Sequence, residues 1–462
     1  MNLALLSILI STAGTASCAE GNSVHRQGNT IARLIDEAET GAVVTVPPGV
    51  YHEHVRIRKS VVLTASGDVV IDGGGSGDVV EISAPGVELR GFTIRGTGID
   101  LDKEHAAVRV LAPRAVIVGN TIEDALFGID LRESPDSVIR ENRIAGKPLD
   151  IARRGDGLRL WRADRAVIEG NTIHDGRDAI LWYSTGVVVR NNTSVRCRYG
   201  FHLMYSDGVD LSGNEVRGNS VGIYVMYSAG VRMQGNRITG NRGPSGYGVG
   251  LKDVDGFAIT GNLITGNRVG MYLDGSPFSA ANPGTISRNT LACNDIGVTF
   301  LPAVRGAVLI ENNFIDNTEQ VCVLGRGQLT GNSFSAGGRG NYWSDYTGYD
   351  QDRDGVGDYV HEPSTLFENL LDKEPKLRLL LHSPVQQAVE LVGKALPSTR
   401  PEPKFFDEYP LMRPSENAGG GLAAVSPPRG RAMTAGLLLG LGAGVLALAS
   451  APRLPRGKGA WS

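Results

Sequence analysis

The chain has 462 residues, a net charge of −3 and 62 glycines, about 13% against the usual ~7%. No Gly-x-y period accompanies them, which excludes collagen, and 41% hydrophobic content excludes wholesale disorder. The near-neutral charge offers no basic surface for nucleic acid, and four Cys are too few for a disulfide scaffold or a multi-Cys metal framework.

Residues 2–13 are apolar and lead into Thr15-Ala16-Ser17-Cys18-Ala19, which reads as a secretory signal peptide (1–19) cut after Ala19. Lipidation of Cys18 is the second reading, although Thr15 is not aliphatic and no Lys or Arg precedes the run. Thr30 to Glu39 reads as a short amphipathic helix, placed to cover the open edge of strands beginning at 43–46.

The middle of the chain repeats. Asn-x-apolar signatures stand at Asn120, Asn142, Asn171, Asn214, Asn236 and Asn262, with looser matches at Asn192, Asn289, Asn313 and Asn332. Their spacings are 22, 29, 21, 22, 22, 26, 27, 24 and 19, a period that means a solenoid rather than separate domains. Within each repeat a Gly (Gly128, Gly157, Gly200, Gly222, Gly248, Gly270, Gly297) opens a strand whose next and third-next residues are apolar, such as Phe201 and Leu203 or Ile223 and Val225. Period two with one buried face, and no helix between the strands, predicts an all-β, parallel β-helix over residues 20–340. The Asn residues are expected to form an internal ladder at one corner, a structural role.

The positions between the apolar ones point outward. One column reads Asp130, Arg159, Ile180, His202, Tyr224, Gly250, Tyr272; the next reads Arg132, Trp161, Trp182, Met204, Met226, Lys252, Asp274. Tyr183, Tyr205 and Tyr227 follow directly. Aromatic and Met residues gathered on one outer stripe mark a binding surface, unless a loop of the chain covers it. Arg159, Trp161, Trp182, Tyr183, Tyr205, Tyr224, Tyr227 and Lys252 are the expected partner contacts. Two thioethers and an imidazole (Met204, Met226, His202) suit monovalent copper, held transiently. Clustered outward carboxylates would instead suggest a polysaccharide-binding or polysaccharide-processing protein; here Asp130, Glu133, Asp156, Asp178 and Asp207 are scattered over several rungs with no evident acid/base pair, so no enzyme is expected.

Cys197 and Cys293 are about four rungs apart, roughly 19 Å, too far for a disulfide. Cys293 and Cys322, one rung apart, can pair or stay as small buried residues. Asp350, Asp352, Asp354 and Asp358 occupy positions 1, 3, 5 and 9 of a calcium-type loop with Gly355 at position 6, inside a C-terminal cap over 341–396. Position 12 is His361 instead of Glu, so a structural calcium stands beside the alternative of a solvated acidic turn. Leu377 to Leu396 has helical apolar spacing and is expected to close that end. A Pro-rich linker (397–431), an expected transmembrane helix (432–451) and a basic tail (452–462) complete the chain.

Five strings taken together resemble the NosD family, periplasmic proteins of nitrous-oxide reductase maturation: Gly155 to Trp161, Asp178 to Ser184, Gly200 to Asp207, Gly222 to Ser228 and Gly340 to Tyr346. The resemblance covers about residues 30–395. It implies a right-handed parallel β-helix of the carbohydrate-binding and sugar-hydrolase repeat type. It also implies work with the membrane subunit and ATPase of an ABC-type transporter, with a membrane-bound copper chaperone, and with nitrous-oxide reductase, whose copper–sulfur centre is being built. On this reading the body is periplasmic and held at the inner membrane by its C-terminal helix.

Overall fold

The computed structural model describes residues 30–415, apart from 280, 326, 364, 382, 397, 399 and 400. The expected signal peptide, the 432–451 segment and the basic tail lie outside the described residues. No helix among those described is long and apolar enough to cross a membrane.

Among the described residues, three parallel sheets of 12, 13 and 12 strands wind into a β-helix, each strand bonding to the one three strands later in sequence except at the end, where Asn313–Ile315 bonds to Tyr342–Trp343 two strands later. Inward residues stack on their counterparts one coil away: Ile129, Leu158, Leu131, Leu160, Leu203 and Val225 are fully buried, which is what the alternating pattern requires. The helix Ile31–Glu37, capped by Thr30 Oγ1, buries Ile31 and Ile35 against the first coil and covers its edge. At the other end stand the helices Leu366–Lys373 and Pro384–Ala395.

The Asn ladder is present. The side-chain oxygen of Asn214 accepts from Asn192 N (3.0 Å) and Asn192 Nδ2 (3.1 Å), while Asn214 Nδ2 donates to Val189 O and to Asn236 Oδ1. A buried amide is tolerated because these bonds use its acceptor and donors along the stack. Two members of the expected ladder are corrected. The last rungs use Asn312 and Asn341, whereas Asn313 bonds the chain at Ser415 and Asn332 serves another corner, accepting from Ala307 N. A second ladder, Asn219, Asn241, Asn267, Asn294 and Asn317, was not foreseen; Cys197 N donates to its first oxygen.

The Pro-rich stretch is a second correction, because its described part is no linker. Residues 401–415 fold back over the last coil. Phe405 stacks on Phe334 at 4.1 Å, and Lys404 Nζ enters a buried acidic pocket at 3.0 Å from Glu319 and 2.8 Å from Asp372. Asp407 Oδ2 ends the Asn ladder, accepting from Asn341 N and Trp343 Nε1, each at 2.8 Å. Gly340 is required there, since a Cβ would collide with the Asp407 carboxylate. The string Gly340 to Tyr346 is therefore an end-closing motif: Trp343 lies in the core, stacked on Phe314.

Candidate functional site

The third sheet builds the outward stripe. Its strands Asp178–Trp182, Tyr199–Met204, Val221–Met226 and Tyr247–Lys252 lie in register, so that Trp182, Met204, Met226 and Lys252 are consecutive Cα partners. Adjacent strands are about 4.8 Å apart, which makes the two thioethers direct neighbours. Met204 and Met226 are half-buried at the surface, and Lys252 next in line pairs with Asp274 at 3.4 Å.

His202, two residues before Met204, shares this face but lies deeper than expected, only 7% exposed. Its ring packs on Tyr199 (4.7 Å) and Tyr224 (6.2 Å). Both ring nitrogens are buried without a hydrogen bond; Nδ1 is 3.6 Å from Asp178, close enough for an ion pair and too long for a hydrogen bond. Burial pushes the Asp178 carboxyl up, but His202 and Arg198 more than reverse it and hold it below the usual range.

Two aromatic columns flank the Met pair. On one side Tyr183, Tyr205 and Tyr227 stack at 5.1 Å per step, and Trp161 joins them through Tyr183 and Trp182. Tyr183 and Tyr205 are exposed. All three Tyr take a left-handed backbone conformation with φ of 51–52°, costly for a bulky side chain at about 1–2 kcal/mol each. The bend turns the chain out of the strand, and the following Ser184, Ser206 and Ser228 carry hydroxyl bonds between coils. On the other side Tyr199, Tyr224, Tyr247 and Tyr272 stack, with Tyr247 and Tyr272 4.3 Å apart. Burial raises the phenols of Tyr224 and Tyr272, the latter to about 12, so both stay neutral. Tyr199 and Tyr247 were missed by sequence reasoning. The signal was there, in the residue just before Gly200 and Gly248.

One end of the stripe is walled by charge. Asp130, fully buried, pairs with Arg109, Arg132 and Arg159. Glu104 reaches over from the loop around the short turn Leu101–Lys103 to bind Arg159 through both carboxylate oxygens at 2.8 and 2.9 Å. The Arg159 guanidinium, with Arg132, holds Glu104 well below the carboxylate range, at about 2. Arg159, expected as an outward partner contact, is thus corrected to a buried structural pair. Its outward direction was right, but a loop 55 residues upstream covers it. The loop covers this end only. At the loop's edge Glu104, Arg132, Arg159, Trp161 and Trp182 line a cleft of about 250 Å³.

Four of the five scattered carboxylates are engaged in ion pairs, and Asp207 accepts from Ala229 N. Asp156 is buried against Arg177, with burial raising it to about 6, and Asp178 pairs with Arg198. In the acidic loop the Asp350, Asp352 and Asp354 carboxylates lie within 4.8 Å of one another. Asp358 is turned to Gln351 N, and His361 is packed on Trp343, where burial lowers it to about 4. Cys197, Cys293 and Cys322 are all free. Cys322 does not pair with Cys293; its Sγ faces Asp372 and Arg378 under the end cap, and burial raises its thiol.

A protein of Pseudomonas aeruginosa named "Probable ABC transporter binding protein NosD" is 32% identical over 380 residues, 79% of this chain and 87% of that protein. This chain belongs to the NosD family. A Stutzerimonas stutzeri protein of the same name is 30% identical over 80% of this chain and 86% of its own length. The NosD family model, described as "Periplasmic copper-binding protein (NosD)", matches residues 140–348, a span that contains the whole Met and Tyr face. Among solved structures, the mannuronan C-5 epimerase AlgE4 A-module of Azotobacter vinelandii aligns with a TM-score of 0.42 and 15% identity. That alignment covers 66% of this chain and 95% of that one. The PL6 family alginate lyase AlyGC aligns at 0.42 and 14%, over 65% and 51%. For the copper of the NosD description, this face has a fitting donor set: two neighbouring thioethers and an imidazole whose Nε2 is buried without a hydrogen bond while Nδ1 faces Asp178.

Proposed function

We propose that this chain is a non-catalytic periplasmic accessory protein of nitrous-oxide reductase maturation, which takes monovalent copper, as cargo, on the outer face of its third sheet. The observation that carries this is the registered Met204–Met226 pair beside the imidazole of His202, whose Nδ1 faces Asp178 and whose buried Nε2 has no hydrogen bond. The NosD description as copper-binding and the names of the two relatives support it. Thioethers are soft donors that favour monovalent copper and release it readily, which suits transfer better than storage.

Trp161, Trp182, Tyr183, Tyr205, Tyr224, Tyr227 and Lys252 form the rim on which the copper chaperone and the reductase dock in turn. Stacked rings lose little entropy on binding and give a large apolar area with polar tips. Association with an ABC-type transporter, membrane subunit and ATPase, is part of the same proposal, as is anchoring by residues 432–451.

The test is anaerobic titration of the protein with Cu(I) against a competing chelator, beside Met204→Ala with Met226→Ala. Stoichiometric binding lost in the double variant, together with loss of reductase maturation in cells carrying it, is the expected result. Unchanged binding and maturation in the double variant would remove the copper reading.

A further inference from the structure

Along the stripe the side chain before the Met pair is Trp182, Cα partner of Met204, and the one after it is Lys252. Trp182 is fixed by packing: Trp161 meets its ring edge-on at 5.5 Å with an interplanar angle of 82°. Its Nε1–H is buried and has no acceptor. A buried donor left unpaired calls for an explanation. The indole stands one strand from Met204, within reach of whatever the two sulfurs hold. No free carboxylate reaches the column from Trp182 to Met226: Glu104, which lines a cleft with Trp182, is bound by Arg159 and Arg132. Asp178 lies behind His202 and is held by Arg198, and Asp274 is taken by Lys252.

We infer that Trp182 is a specificity-determining residue of the copper position, its indole face covering the ion as a cation–π neighbour. The inference rests on the copper reading above and adds to it a fourth group. The indole is the strongest aromatic partner for a cation, and its attraction rises where water is excluded. It supplies electron density without a hard donor atom. A monovalent ion with two thioethers and a nitrogen is therefore favoured, while Zn(II), offered neither a thiolate nor a free carboxylate, loses more hydration than the ring returns. Coverage by the ring also shields the ion from solvent until a docking partner displaces it.

The experiment uses the whole chain, purified anaerobically, with Cu(I) and Zn(II) as probes. Affinity is read by chelator competition and contact by indole emission. Variants are Trp182→Phe, which keeps a weaker face, and Trp182→Leu, which removes it; both are checked for wild-type melting. Cu(I) should quench emission in the wild type and Zn(II) should not. The Phe variant should bind one Cu(I) about threefold more weakly and the Leu variant about ten- to thirtyfold more weakly, each with the quench diminished. Wild-type affinity in both variants with the quench retained would overturn the role of Trp182 while leaving the copper reading standing. No Cu(I) binding by the wild type, or unchanged binding in the Met204→Ala, Met226→Ala protein, would overturn both.

Discussion

Replacing Asp407 by Ala should loosen the C-terminal end of the β-helix without touching the stripe. Asp407 Oδ2 accepts from Asn341 N at 2.8 Å and from Trp343 Nε1 at 2.8 Å, all groups being buried. A bond from Asn341 Nδ2 at 3.3 Å is lost as well, but that amide keeps Leu309 O and Phe334 O as acceptors. Two buried donors are therefore orphaned, at about 1–3 kcal/mol each, or about 2–6 kcal/mol together. Burial pushes the Asp407 carboxyl up, and ending that burial offsets part of the loss. About 3 kcal/mol is the expected net, roughly 100-fold in local opening. Solenoids open from their ends, so a global melting curve is the wrong measure. Hydrogen exchange over residues 309–345 and protease cleavage within 401–415 are the right ones. Asp407→Asn keeps an acceptor oxygen and should fall between wild type and Ala. Exchange in Asp407→Ala at the wild-type rate would refute the account of the ladder's end.

Two carboxylates should give opposite pH dependence. Glu104 has its folded value near 2, below an unfolded value near 4.5, so its contribution is full above pH ~4.5 and is lost as pH falls towards 2; Glu104→Gln should flatten acid denaturation in that window. Burial raises Glu368 to about 7, with Lys404 opposing, so the folded state holds the extra proton and stability falls as pH rises from ~4.5 to ~7; Glu368→Gln should abolish that fall and raise neutral-pH stability. Tyr205→Gly relieves a left-handed backbone worth about 1–2 kcal/mol and loses two ring stacks worth about 0.5–1.5 kcal/mol each. Stability should barely change while copper-donor docking, read by calorimetry, weakens; a large loss of stability would contradict this balance. The calcium reading of Asp350, Asp352, Asp354 and Asp358 expects a chelator to raise protease sensitivity at 346–360, with Asp354→Asn abolishing the response; indifference to calcium would make the loop a solvated acidic turn.

The inward and outward columns were legible in the sequence because a parallel β-helix repeats one local rule. Each strand pairs with the strand one coil later, about 22 residues on, and side chains alternate about a single core. Any slip by one residue would bury Met204 and Met226 and expose Leu203 and Val225, so hydrophobicity alone determines which face carries the candidate site. The ladder corner was legible for the same reason until its last coils, where Asn312 and Asn313 both fit the spacing and only the packing chose between them. What the tertiary structure decided is contact between segments that share no period. Glu104 crosses 55 positions to cover Arg159, Lys404 crosses 85 to reach Glu319, and Asp407 crosses 66 to close the ladder at Asn341. Nothing in the Pro-rich composition of 397–431 announces such contacts. They form because the last coil leaves unpaired N–H groups, and because Glu319 and, from the capping helix, Asp372 bring two buried carboxylates together, of which Arg378 pairs with Glu319 while Lys404 of the returning segment bridges both. The same physics set His202 apart from the outward column: its position on the strand follows from alternation, but its burial follows from Tyr199 and Tyr224, side chains that meet it only once the coils are stacked.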